Sequence, residues 1–248
     1  MARKEKLDFG RQEPEILGIL KHNHIFTNTL KRNDPLGQEV LSLFPFPTDR
    51  DNLETLLQST GNGDATIPSN TAVTSRFRTW FSCLTSVLVY MGRRSVVHGN
   101  IQPSNILHKD GRVFLTGFDS AYVIDWNESP EKAKDLPKQD VYALGCVFLE
   151  MLAVLIPRPV NKFRDCCHDD ITGECHSYGF VLGRVDTLFS DSPVETRKFF
   201  QECVTPMLNR DLGSRPSAQA ASSLITQRNP WSKDCAVCNC EGKENRQF

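Results

Sequence analysis

Between His98 and Asn105 the chain reads His98-Gly-Asn-Ile-Gln-Pro-Ser-Asn105, one imidazole and three carboxamides in a single short stretch. An imidazole can exchange a proton near neutral pH; a carboxamide donates and accepts hydrogen bonds but takes up no proton. Asn100 and Gln102 can therefore orient a ligand, yet neither can act as a general base or supply positive charge. Asn105 offers a metal one neutral oxygen. Asp119, in Gly117-Phe118-Asp119, offers a carboxylate. Divalent cations such as magnesium prefer anionic oxygens, so a carboxamide alone is a poor ligand. Two cysteine groups complete the candidates. Cys235, Cys238 and Cys240 form C-x-x-C-x-C, and Cys166-Cys-His-Asp-Asp-Ile-Thr-Gly-Glu-Cys-His176 carries metal-like residue types. Structural zinc wants four ligands, no histidine lies near the first group, and the second matches no ligand spacing. The first reads as part of a polar tail and the second as a surface loop.

These residues need a scaffold, and the chain has the length for one. Its 248 residues suit one large domain, or one and a half smaller ones. With 39% hydrophobic and 24% charged residues it has the composition of a globular protein with a sizeable core. Lys+Arg 29 against Asp+Glu 30 leaves a net charge of -1, which argues against a general nucleic-acid or membrane-surface binder. No stretch approaches ~20 uninterrupted apolar residues, so no membrane span is expected. The start is basic but lacks the apolar core of a signal peptide. An odd cysteine count in a large domain argues against a disulfide framework, with Cys83, Cys146 and Cys203 expected as buried thiols. The chain is expected in the cytoplasm or nucleus.

Apolar periodicity places the elements. Ile16, Leu17, Ile19 and Leu20 form a stripe over residues 13–22, with Pro14 suited to a first helical turn. Residues 23–30 and 39–46 read as strands, and a short helix begins at Asn52. Residues 59–72 read as a polar loop. From Val73 to Met91, Phe77, Trp80, Phe81, Leu84, Val87 and Leu88 recur at helical spacing. Lys109-Asp110-Gly111 between two short apolar runs predicts a hairpin. Residues 139–155 predict an apolar helix, residues 178–189 and 193–208 two amphipathic ones. Arg215-Pro-Ser-Ala218 opens a last helix with Pro216 in its first turn.

Four of these segments, in this order, resemble the large lobe of a eukaryotic-type serine/threonine protein kinase. The His98–Asn105 stretch is similar to the catalytic loop H-R-D-x-x-x-x-N, and Val113–Ala121 to the strand entering the D-F-G metal motif. Asp140-Val-Tyr-Ala-Leu-Gly145 resembles D-V-x-S-x-G, and Arg215-Pro-Ser-Ala218 resembles the closing R-P-S-A. The likeness spans roughly residues 13–228. Aminoglycoside- and choline-type phosphotransferases write the loop H-G-D-x-x-x-x-N, toward which Gly99 leans. They lack the later two motifs, so the protein-kinase branch is preferred.

The resemblance implies an α+β fold, mainly α: a kinase-like large, C-terminal lobe with a reduced small lobe. Residues 1–12 would be a disordered start and 13–58 a remnant of the small lobe and inter-lobe connection. Residues 59–228 would form the helical large lobe, and 229–248 a cysteine-containing tail. It also implies impaired chemistry. Asn100 stands in place of the base Asp, and Gln102 in place of the Lys that steadies the phosphate. Gly117 stands where D-F-G has its metal Asp, and Asp119 lies two residues on, about 6–7 Å away if extended. No G-x-G-x-x-G or strand Lys precedes the first helix, and Glu13 sits where the Lys-pairing Glu would fall. His98, Phe118 and Asp140 keep framework roles by the same resemblance, Asp140 accepting hydrogen bonds from the loop backbone. Arg215 would pair with Glu128 or Glu131. The implied function is a pseudokinase: a binding or regulatory scaffold for a protein partner, such as another kinase or enzyme, without a cofactor. The alternative is a serine/threonine kinase using ATP and Mg²⁺.

Overall fold

The structure, a computed structural model, describes residues 9–26, 29–33, 39–43, 52–61, 72–125, 127, 130–156, 163–164, 189–190 and 192–231. Within them the fold is α+β with helix predominating. Its centre is α5 (Pro137–Leu155), which follows the short α4 (Pro130–Asp135) and on which Val141, Leu144 and every residue from Gly145 to Val154 are buried. A helix apolar on all sides can lie only inside, and others must cover it. Helix α3 (Ala72–Gly92) does so with the stripe Phe77, Phe81, Leu84, Val87, Leu88 and Met91, each at most 4% exposed. Its outer side is covered by α8 (Ala218–Arg228). Gly145 lets the chain come close on α5's other flank: a Cβ there would sit 3.0 Å from Met207 Cβ.

The approaching segment begins as α6 (Val194–Phe199), widens to a π-helical turn over Phe200–Val204, and resumes as α7 (Thr205–Met207). Pro206 has no N–H for the Glu202 carbonyl, and the widened turn before it accommodates that loss. Phe189, Phe199 and Phe200 fill the space behind it; Phe189 and Phe200 stack at 4.6 Å.

Among the described residues the strands form three two-stranded antiparallel sheets. β1 (Thr29–Asn33) pairs with β2 (Glu39–Leu43), β3 (Val96–Val97) with β6 (Tyr122–Val123), and β4 (Ile106–Lys109) with β5 (Arg112–Leu115). The β4–β5 turn is Asp110-Gly111 with φ of 50° and 78°, the paired positive angles of a type I′ hairpin. Trp80 of α3 donates its indole N–H to Gly111 O at 2.9 Å and stacks on His108, fixing the hairpin to the helical core. Helix α2 (Leu53–Gly61) abuts the same hairpin through an Asn52–Leu107 bridge, and Asn52 Oδ1 caps it by accepting from Thr55 N at 2.8 Å.

Several expectations are corrected. Helix α1 runs Phe9–Ile19, so Phe9–Gln12 are helical and Pro14 lies inside the helix. The loss is one hydrogen bond, to Gly10 O, close to the end where donors are unpaired in any case. Residues 23–30 are not one strand: Ile25 makes a single parallel bridge to Leu115, and β1 starts only at Thr29. Residues 59–61 belong to α2 rather than to a loop. Ser217 is the N-cap of α8, accepting from Ala220 N at 3.2 Å, so Pro216 precedes the helix. The start of the tail is part of the body. Asn229 is buried, its Nδ2 donating to Arg78 O at 3.1 Å, and Trp231 packs on Phe81 and Phe199. The helix expected over 178–189, apart from Phe189, and the Cys166–His176 and Cys235–Cys240 groups lie outside the described residues. Among those described, no helix is long and apolar enough to cross a membrane, and no cluster of His, Cys, Asp and Glu is arranged to hold a metal. Cys83, Cys146 and Cys203 are buried cysteines outside any disulfide; burial foremost pushes the Cys203 thiol up to about 12.

Candidate functional site

Strand pairing brings the two candidate segments together. The 98–105 loop joins β3 to β4, and the 116–121 turn joins β5 to β6; because β3 pairs with β6 and β4 with β5, the connections face each other. A 3₁₀ turn, Pro103–Asn105, ends the loop, and another, Phe118–Ser120, forms the turn. Gly99 (φ 75°) is required at their contact, since a Cβ there would meet Ser120 O at 2.9 Å.

Asp140, at the start of α5, holds the loop. Its Oδ2 accepts from His98 N at 2.7 Å and its Oδ1 from Gly99 N at 3.0 Å. The carboxyl is 4% exposed, and burial raises its pKa to about 6 against the two hydrogen bonds that lower it. The His98 ring is fully buried. Its Nδ1 accepts from Asn100 N at 3.2 Å, which leaves the proton on Nε2 to be donated to Thr116 O at 2.9 Å. Burial lowers its pKa to about 4, so it is a neutral strut between loop and β5. Phe118 is buried edge-on to it, ring centres 4.6 Å apart.

The residues with chemical potential are used internally. Asn100 Oδ1 accepts from Gln102 Nε2 at 2.9 Å, a neutral amide pair at the loop surface. Asn105 Nδ2 donates to Asn100 O at 2.8 Å. Gly117, in the left-handed region at φ 78° and ψ 49°, lies directly against the Asn105 side chain. Asp119 is exposed and accepts from Ser120 Oγ at 3.4 Å. Helix α1 covers the turn: the Glu13 carboxyl accepts from the Phe118 backbone, and its pKa is raised by burial first and then by the charge of Asp119. Magnesium with its nucleotide does not fit this set. Position 117 offers no side-chain oxygen, the Asn105 amide N–H is given to Asn100 O, and the exposed Asp119 is the only carboxylate among the described residues of the 116–121 turn.

Arg215 is buried and bonds to main-chain carbonyls, Nε to Asn209 O at 2.7 Å and Nη1 to Lys138 O at 3.0 Å, with its guanidinium 4.7 Å from the Tyr142 ring centre. Glu128 and the side chain of Glu131 lie outside the described residues.

Sequence reasoning missed a charged cluster that joins α5 to α2 through Arg164. Glu150 is 1% exposed, and Arg164 grips it through Nε to Oε1 at 3.1 Å and Nη2 to Oε2 at 2.5 Å. The same guanidinium reaches Glu54 of α2 at 2.6 and 2.7 Å. A charged residue within the apolar run of α5 was the available signal, because such a group needs a partner to be buried.

Compared with protein-family models and with curated proteins, the sequence matches none.

Proposed function

We propose that the chain is a protein-kinase-like domain with impaired chemistry, a pseudokinase, whose role is to bind and regulate a protein partner such as another kinase or enzyme. The observation that carries this reading is the division between frame and chemistry in the 98–105 loop. Asp140 and His98 hold the loop backbone from both sides, while the acceptor position carries Asn100, hydrogen-bonded to Gln102. A carboxamide there cannot take the proton of a substrate hydroxyl, and base catalysis is typically worth about 10²–10⁴-fold in rate. Gln102 adds no positive charge for a transferring phosphate. The frame needed to present a surface persists without the groups needed for phosphoryl transfer.

A near-neutral net charge points to protein rather than nucleic acid as the partner. Buried cysteines outside any disulfide at Cys83, Cys146 and Cys203 support a place in the cytoplasm or nucleus. The test is thermal unfolding of the purified 248-residue chain with and without millimolar ATP and Mg²⁺, beside a phosphate-transfer assay on generic peptides. A ligand that binds only the folded state raises Tm by mass action. No metal-dependent rise and no transfer are expected. Metal-dependent transfer to a peptide would replace this reading with that of an active serine/threonine kinase.

A further inference from the structure

Asn105 and Gly117 are in closer apposition than any two side chains could be. A Cβ built on Gly117 would lie 2.6 Å from Asn105 Cγ, 2.7 Å from its Oδ1 and 2.8 Å from its Nδ2. The carboxamide therefore sits over the bare Cα and fills the volume that a side chain at position 117 would take. We infer that this contact is an interlock: the Asn105 carboxamide ties the loop to the turn and excludes a cation ligand from position 117.

Neither partner has room to give. The Asn105 backbone is held on both sides, its N–H donating to Gln102 O at 2.9 Å and its carbonyl accepting from Thr116 N at 3.0 Å. Thr116 is itself held by the His98 ring at its carbonyl, one residue before Gly117. Only rotation of the Asn105 side chain could clear the space, and rotation breaks its 2.8 Å hydrogen bond to Asn100 O. Gly117 also adopts φ 78°, where a residue with a Cβ is strained. The site is thus closed by its own side chain. A carboxylate introduced at 117 would evict Asn105 before it could meet a metal.

The inference rests on the proposed function in one respect only, that position 117 is where a kinase-like site would carry its metal carboxylate. The contact itself stands on the geometry. A double-mutant cycle of G117A, N105A and N105A/G117A tests it. The left-handed strain of alanine is common to both backgrounds, so the difference reads the contact alone. The Tm loss caused by G117A is expected to be larger by about 5 °C or more in the wild-type background than in the N105A background. Equal losses would overturn the interlock. If G117A does not fold, a folded N105A/G117A supports the idea and an unfolded one overturns it. A second arm titrates Mn²⁺ into G117D, for which a lowered Tm and no metal-dependent recovery are expected. A Mn²⁺-dependent rise in Tm would overturn the exclusion. Phosphate transfer by the unaltered chain would remove the proposed function and leave the interlock standing; additive losses would do the reverse.

Discussion

The Asp140 carboxylate and the His98 backbone N–H meet at 2.7 Å, joining the buried start of α5 to the loop before β4. Both oxygens of Asp140 are engaged, one by His98 and the other by Gly99, so the loop's first turn depends on one charged group. Asp140→Ala removes the acceptor of the buried His98 N–H and of the part-buried Gly99 N–H and is expected to cost about 3 kcal/mol. Urea unfolding midpoints check this; a loss below about 1 kcal/mol would mean that the loop is held by other contacts.

The pH dependence has two opposing parts. Asp140 has a folded pKa of about 6, above the ordinary value, so its ionised form costs stability above pH 6 and acidification toward pH 4 relieves that cost. Glu13, raised in the same direction, acts with the same sign. His98 and His22 have folded pKa values of about 4, below the ordinary value; their contribution is fully present above pH 6.5 and is lost as pH falls toward 4. In Asp140→Asn its share of the relieving part is absent, so stability should fall more steeply between pH 6.5 and 4.5 than in the unaltered chain. Parallel profiles in denaturant titrations at several pH values would contradict this assignment.

Arg164 neutralises two carboxylates at once, one of them nearly inaccessible to water. Arg164→Met takes the guanidinium away from the buried carboxylate of Glu150 and is expected to cost about 3 kcal/mol. Arg164→Met with Glu150→Gln should recover much of the loss, because the buried charge goes with its partner. Equal midpoints for the single and double variants would show that the destabilisation lies elsewhere.

Asn100→Asp preserves the oxygen that accepts from Gln102 and lies at a half-buried position. Stability should change by less than about 1 kcal/mol. Phosphate transfer should remain absent, since position 117 still carries no metal ligand. Transfer restored by this one substitution, measured with labelled ATP, would place the whole defect at the base.

Local signals made much of this fold legible. The Asp-Gly pair has a mechanism for a type I′ turn, the apolar spacing from Phe77 to Leu88 marks one helix face, and an apolar run broken only by Glu150 marks a buried helix. Asn100, Gln102 and Asn105 were visible because a carboxamide's chemistry does not depend on context. What stayed hidden depends on partners far along the chain. Arg164 and Glu54 are 110 residues apart, and no local pattern predicts their meeting. The seating of Asn105 on Gly117 was equally invisible: glycine in sequence reports freedom, and only the folded chain shows what takes up the space. Pro14 misled because one missing N–H so early in a helix is a small loss, which packing of Ile16, Leu17 and Leu20 offsets.

The indole of Trp80 sits at the joint between α3 and the β4–β5 hairpin, with its N–H given to Gly111 O and its ring against His108. The protein thus carries an intrinsic fluorophore at the seam between helices and strands. Lifting the hairpin would wet that ring and red-shift its emission, so the separation of the two layers can be followed by light alone, before the helices themselves unravel.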